Sequence, residues 1–185
     1  HKFKVKDILF ETHERLQGLI KKRYNLRALS FNKTKDVLVY ADRMFDLFND
    51  SFASLSSFVK IPDIQKDHLK KKFLSFINPE YIKFVINGSN ELVAFSVIMP
   101  SYSNAFQKIN GNLFPFGFFH IFKAKKSKTV DLYLIGIHPK YQKKGVHAII
   151  FNEFQKILEK NKISECRITP VLANNLAMRN MWTDY

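Results

Sequence analysis

The sequence predicts an α/β fold, a mixed central sheet flanked by helices, and three observations carry that expectation. Thr129 to Lys160 reads as a strand, a basic turn and a helix in immediate succession. Tyr81 to Ile86 and Leu92 to Met99 read as a hairpin, because Asn87-Gly88-Ser89-Asn90 between them supplies turn chemistry. Glu165 to Leu172 reads as a further strand after the helix. A strand–helix–strand run of this kind gives a parallel pair joined by a right-handed crossover.

Each element has its own signature. Val5 to Tyr24 carries a partial apolar stripe, Ile8, Leu9, Thr12, Leu16, Leu19 and Ile20, with Lys21-Lys22-Arg23 where the helix dipole favours cations. A helix follows from this. It either docks a partner or packs on its own domain, and packing is the simpler reading. Leu26 to Phe31 alternates and reads as the first strand. Val37, Tyr40, Ala41, Met44, Phe45, Phe48 and Phe52 then fit one helical face. Pro62 and Asp63 mark the next helix start, with Leu69, Phe73, Phe76 and Ile77 as its apolar face. Phe45, Phe48, Phe52 and Phe58 could line a cleft, but aromatics at helical spacing are more often core. Ser101 to Lys128 is long and aromatic-rich, with short helices expected near Ala105–Lys108 and Phe116–Phe122. It reads either as a lid offering Tyr102, Asn104 and His120, or as an aromatic plug.

In the 129–137 strand, Val130, Leu132, Leu134 and Gly136 fall on one face, with Asp131, Tyr133, Ile135 and Ile137 on the other. Apolar residues on both faces predict burial in mid-sheet. His138 and Pro139 end the strand. Val146, Ile149, Ile150, Phe154, Ile157 and Leu158 recur at helical spacing beyond the turn. Asn174 can cap a last helix running through Met178 and Trp182.

Composition bounds the function. Hydrophobic residues make up 46% of the 185, enough for a packed core. The single Cys166 forms no internal disulfide and fits a reducing cytoplasm. No run reaches the length of a membrane span, and no signal-peptide pattern is visible. Net charge is +14, from 30 Lys and Arg against 16 Asp and Glu, which favours anionic partners. A phosphorylated cofactor is one class. Nucleic acid is another that the charge permits, though no zinc-finger or RNA-recognition motif supports it. Six His and one Cys show no metal-ligand spacing, and no serine nucleophile elbow is present.

The chemistry concentrates in the turn Lys140-Tyr141-Gln142-Lys143-Lys144-Gly145. The first N–H groups of a helix have no internal partner, and the helix dipole adds positive charge there. Three lysines and a glycine that admits close backbone approach make such a corner fit for a phosphate or pyrophosphate. The plainer reading is a solvated basic loop.

Ile137-His138-Pro139-Lys140-Tyr141-Gln142-Lys143-Lys144-Gly145-Val146-His147 resembles motif A of the GNAT superfamily, the acyl-CoA-dependent N-acyltransferases. Gln142 and Gly145 stand at its most diagnostic positions, and His147 where the family has a small residue. The likeness runs in outline from Leu26 to Trp182, closest to a poorly characterised bacterial branch. It implies a GNAT-like domain over 25–185 preceded by a helical arm over 1–24. It also implies that acetyl-CoA or another acyl-CoA is the co-substrate and that an amine, small or peptidic, is the acceptor. The family's pyrophosphate loop maps onto Gln142, Lys143, Lys144, Gly145, Val146 and His147. Its thioester-aligning strand backbone maps onto Ile135 and Ile137. Asn175, Met178 and Trp182 resemble motif B, so Asn175 is assigned to the cofactor. Where many members carry a Tyr that protonates the departing thiolate, this chain has Trp182, whose indole cannot serve. Tyr185, nearly a turn further on, and Glu165, near where some members keep a base, are the remaining acid and base candidates. The family completes its sheet with one or two later strands. This chain stops at Tyr185, so truncated C-terminal strands and an uncovered sheet edge are expected. A non-catalytic CoA-binding or interaction module on the same fold is the alternative function.

Overall fold

The sheet is built from residues that leave little choice. Ile82–Ile86 (β3) is buried at every position, and Leu92–Pro100 (β4) at all but one. A sheet strand buried on both faces needs a helical layer on each side. In this computed structural model, residues 2–4, 10–56, 58–71, 77–101 and 127–168 are described. Their other strands are Lys2–Lys4 (β1), Arg27–Leu29 (β2), Thr129–Ile137 (β5) and Glu165–Ile168 (β6). The order across the sheet is β1-β6-β5-β4-β3-β2. All neighbours are antiparallel except β5 and β6, which run parallel with Thr129 opposite Glu165 and Leu132 opposite Ile168.

Helices Phe10–Tyr24 (α1) and His147–Lys160 (α5) cover one face. There Ile20, Val85, Ala94, Ile98, Val130, Leu132 and Ile135 pack with Ile149, Ile150, Phe154 and Ile157. Thr34–Leu38 (α2) and Ala41–Phe52 (α3) cover the other, over Phe84, Phe95 and Val97. Asp63–Leu69 (α4) lies beside α3 and is tied to it by Lys66, which reaches Asp46 on α3 and Asp63 on its own helix, each at 2.6 Å. The buried Asn49 side chain donates to the Ile61 carbonyl at 3.0 Å and accepts from its N–H at 2.8 Å, fixing the approach to α4.

The hairpin turns where Asn87 caps it. Its Oδ1 accepts from the N–H groups of Ser89 and Glu91, and Asn90 takes a positive φ of 60°. Helix α1 ends on Asn25, also left-handed, with the Leu26 N–H returning to the Lys21 carbonyl at 2.9 Å.

Five expectations need correction. The helix over Val37 to Phe52 is two helices. The Tyr40 N–H bonds to the Val37 carbonyl at 2.9 Å, a tight turn that buries Val37 and Ala41 while Val39 faces out. The first strand spans only Arg27–Leu29, and Tyr81 closes a 3₁₀ turn over Pro79–Tyr81 rather than opening β3. Strand β1 was not expected, and it pairs with β6 through Lys2 opposite Arg167 and Lys4 opposite Glu165. The edge of β6 is therefore covered by the start of the chain. The fifth concerns β5. Its faces do not alternate evenly, because the register shifts against β4 and leaves Tyr133 as an extra residue between Leu132 and Leu134. Val130 and Leu132 face α5, but beyond Tyr133 it is Ile135 and Ile137 that do, while Leu134 turns to the α3 side. Expected helices near 105–108, 116–122 and after Asn174 lie outside the described residues.

Candidate functional site

The strand, the turn and the helix form as their residues dictate. Beyond Tyr133 the pairing of β5 with β4 is regular, Gly136 opposite Phe95 and Ile137 opposite Ala94. Gly136 has no side chain because the Phe95 ring lies across it, 2.3 Å from where a Cβ would sit. The His138 N–H donates to the Val93 carbonyl at 2.8 Å. Backbone direction alternates along a strand, so the N–H and C=O groups of Ile135 and Ile137 point away from β4, toward the β6 side. The described ladder between β5 and β6 runs to Leu132 and Ile168, and residues past 168 lie outside it.

Pro139–Tyr141 forms a 3₁₀ turn, capped by His138, whose Nδ1 accepts from the Lys140 N–H at 3.2 Å. His138 also lines a cleft of 340 Å³ shared with Arg43, Asp46, Asp50 and Glu91 on the α3 side. Gln142 folds back, and its Nε2 donates to the Ile137 carbonyl at 3.0 Å. Lys143 and Gly145 both take left-handed φ, 58° and 76°. Gly145 is followed by Val146 in the right-handed region, φ −57° and ψ −26°. Such opposite-handed neighbours form a concave nest of N–H groups suited to an anion. The Ala148 and Ile149 amides turn back onto the Gly145 and Val146 carbonyls. Among the described residues, no backbone acceptor lies within bonding range of the Gly145 or Val146 N–H. Lys143 and Lys144 are exposed, while Gln142, Gly145 and His147 are half-buried.

One role differs from expectation. A Cβ on Gly145 would lie 2.4 Å from Ile20 Cδ1 and 3.9 Å from Leu16 Cδ2, so that side of the glycine is filled by α1. Its lack of a side chain serves helix packing and the positive φ rather than ligand approach from that side. Helix α1 contributes more, which residue spacing could not reveal. Lys144 Nζ lies 5.3 Å from the Tyr24 ring centroid and 5.5 Å from that of Tyr141, and Arg23 caps Tyr24 at 5.5 Å. Rings and cations alternate at the lip of the nest. His147 packs its ring edge-on to Phe151 at 5.9 Å. The basic end of α1 was visible in the sequence, but nothing local placed it beside residue 144.

Glu165 is not brought to this corner. It sits level with Thr129, whose Oγ1 donates to its Oε2 at 3.1 Å. That is eight residues of strand from Ile137, about 26 Å along the sheet. Cys166, next to it, is partly buried, and desolvation together with Asp131 pushes its thiol up to about 12. Asn175, Met178, Trp182 and Tyr185 lie outside the described residues, as do Tyr102, Asn104 and His120. Phe48, Phe52 and Phe58 pack on one another with centroids 4.8 to 6.2 Å apart. Among the described residues, no group of three metal-ligating side chains converges, and no helix is long and apolar enough to cross a membrane.

No family profile matches the chain. Protein YghO of Escherichia coli K12 is 20% identical over 175 residues, covering 91% of this chain and 44% of that protein, so the chain spans less than half of its curated relative. Among solved structures, the C-terminal domain assigned to a lysylphosphatidylglycerol synthetase from Agrobacterium fabrum superposes with a TM-score of 0.54 at 10% identity. That match covers 90% of this chain and 46% of the other. A possible acetyltransferase from Clostridium difficile 630 matches with a TM-score of 0.51 at 14% identity, over 86% and 88% of the two chains. The PaiA N-acetyltransferase of Thermoplasma acidophilum, solved with coenzyme A, matches with a TM-score of 0.51 at 10% identity, over 86% and 87%. Identities this low speak to architecture alone. The strand order, the parallel β5–β6 pair with its α5 crossover and these likenesses give the chain the fold of the GNAT acetyltransferases.

Proposed function

We propose that the chain is an acyl-CoA-dependent N-acyltransferase domain that moves an acyl group from acetyl-CoA, or another acyl-CoA, to an amine. The observation that carries this reading is the direction of the backbone at Ile135 and Ile137. Their N–H and C=O groups face the β6 side, immediately before a left-handed nest that opens a helix. A pyrophosphate suits the nest, with the Gly145 and Val146 amides as donors and Lys143 and Lys144 as charges. The pantetheine amides can then continue the β5 ladder through the Ile135 groups and the Ile137 N–H, since the Ile137 carbonyl already accepts from Gln142. Gln142, held by the Ile137 carbonyl, fixes the angle between strand and loop. A strand N–H near the thioester carbonyl polarises it for attack by the amine. Asn175 is proposed to help hold the pantetheine or adenine part of the cofactor and Tyr185 to supply the proton for the departing thiolate. Glu165, at the opposite end of β5, is set aside as the base.

The alternative reading is a domain that binds CoA without turning it over. The absence of a tyrosine at 182 favours it.

Calorimetry with CoA and acetyl-CoA tests the proposal, with Lys143→Glu as the control variant. That residue is exposed and already left-handed, so the change places a negative charge beside the nest with no new backbone strain. Binding by the unmutated chain, weakened about tenfold or more by the variant, is expected. Absence of binding by the unmutated chain removes the idea. Binding without thiol release over a broad amine panel selects the non-catalytic reading.

A further inference from the structure

Helix α1 is bound to the anion corner along one stripe. Leu16 and Ile20 lie against the closed side of Gly145, and Tyr24, four residues on, meets the Tyr141 ring edge-on at 6.3 Å. The turn after the helix is anchored as well. The Asn25 side chain lies across Gly88 of the hairpin, 2.2 Å from where a Cβ would sit. The last turn of α1, with Lys21, Lys22 and Arg23, is thereby held beside the loop that carries Lys143 and Lys144.

Two cations from different elements share one ring there. Arg23 Cζ lies 5.5 Å from the Tyr24 centroid and Lys144 Nζ 5.3 Å from it, and both residues are exposed. Ring faces attract cations without neutralising them. Among the described residues, the ion pairs are those of Lys21, Lys66, Lys70, Lys156 and Lys160, so no carboxylate pairs with Lys22, Arg23, Lys143 or Lys144. The dipole of α1 accounts for the cations at its own C-terminal end. It does not account for Lys143 and Lys144, which stand just before the N-terminal end of α5, where a helix dipole disfavours positive charge. Cations gathered against both a dipole and one another are relieved by an anion.

We propose that α1, which precedes the stretch resembling the acyltransferases, holds the 3′-phosphate of CoA, with Arg23 and Lys144 as donors and Lys22 adding charge. This inference rests on the acyl-CoA reading. In that reading the pantetheine leaves the nest along β5, so the ribose and its 3′-phosphate lie on the other side of the pyrophosphate. The lip formed by Lys144, Tyr24 and Arg23 is at the nest and not along β5. A phosphate monoester carries a charge of about −1.5 to −2 at pH 7. The nest amides serve CoA and 3′-dephospho-CoA alike, because both carry the pyrophosphate. The arm's cations distinguish the two, which makes α1 a determinant of cofactor choice.

Calorimetry with CoA and with 3′-dephospho-CoA, on the unmutated chain and on Arg23→Gln, tests the assignment. The unmutated chain is expected to bind CoA about tenfold or more tighter than 3′-dephospho-CoA. Arg23→Gln is expected to reduce that ratio to about threefold or less, with its affinity for 3′-dephospho-CoA within about twofold of the unmutated chain's. Equal binding of the two ligands by the unmutated chain would overturn the assignment and leave the acyl-CoA reading standing. A ratio that Arg23→Gln does not change, or equal weakening of both ligands in that variant, would also overturn it, since Arg23 would then act elsewhere or through the fold. Binding of neither ligand would remove the acyl-CoA reading and this inference with it. The comparison of two ligands on the unmutated chain does not depend on a variant folding.

Discussion

Gly145→Ala separates two explanations of why a glycine stands at the mouth of α5. The residue has φ 76°, and an added Cβ would meet Ile20 Cδ1 at 2.4 Å. An alanine in the left-handed region costs about 1–2 kcal/mol. Forcing a methyl against a core side chain adds about 1–3 kcal/mol, depending on how far Ile20 can yield. The single variant should therefore lose about 2–5 kcal/mol. Ile20→Ala, at a position 6% exposed, should lose about 2–5 kcal/mol for a different reason, a cavity between α1 and α5. In the double variant the methyl at 145 enters the space that Ile20 vacates. Its cost should fall short of the sum of the singles by about 1–3 kcal/mol, the clash term alone. Urea unfolding at constant slope measures all three. Additivity within about 0.5 kcal/mol would refute the reasoning, because the glycine would then be required by φ, or by something other than α1.

Three further outcomes follow from the same structure. Asn49→Ala leaves the Ile61 N–H and carbonyl without their partner and should cost about 1–3 kcal/mol in urea unfolding; a change below about 0.5 kcal/mol would mean water replaces the side chain. With its pKa pushed up to about 12 by burial, Cys166 should hold about a thousandfold less thiolate at pH 8 than an ordinary cysteine, so an aromatic disulfide reagent should react with it only after unfolding. Rapid reaction of the native chain would contradict that environment. Asp63 is held below the usual carboxylate range by its hydrogen bond from Lys66, and Asp67 by that from Lys70. Stability from a depressed carboxylate is present above its unfolded pKa and is lost as pH falls through the folded one. Amide protection over Asp63–Leu69 should therefore hold at pH 5 and decline below the ordinary carboxylate range; protection unchanged down to pH 2 would show that the lysine clamps contribute nothing.

How much of this was legible depended on pattern length. Strand β5 and helix α5 were readable because a nine-residue apolar run and a fourteen-residue helical stripe each exceed chance. The hairpin was readable from Asn87, whose side chain accepts from the turn's amides, and from Asn90, which takes the left-handed backbone the turn needs. Strand β1 was not, because Lys2-Phe3-Lys4 is too short to show a period, and its pairing with β6 spans most of the chain. The break between α2 and α3 was hidden because both helices continue one apolar face across Tyr40. Lys83 did leave a signal, a lone cation in the run Ile82–Ile86, but only the packed structure shows that it donates to the Ser30 hydroxyl. At Gly145 the sequence suggests room for a ligand, while the structure adds a neighbour, Ile20, on the side a Cβ would take. A motif specifies that a glycine is needed and not which neighbour forbids the side chain.

The candidate site depends most on a feature that alternation concealed. Side-chain face and backbone direction both repeat every two residues in a strand, so a single extra residue reverses both at once. Tyr133 is that residue. With even alternation from Val130 onward, Ile135 and Ile137 would turn their side chains to α3 and their N–H and C=O groups into the β4 ladder. The groups facing the β6 side beside the nest would then be those of Leu134 and Gly136. With the bulge, the same two isoleucines pack under α5, and their backbone groups face the side on which β6 runs. The exposed Tyr133 gives up a regular ladder position, a local cost in pairing that sets Ile135 and Ile137, rather than Leu134 and Gly136, toward the β6 side. Stability alone would favour a strand without that irregularity, so the acyl-CoA proposal leans on the bulge more than on the lysine-rich loop.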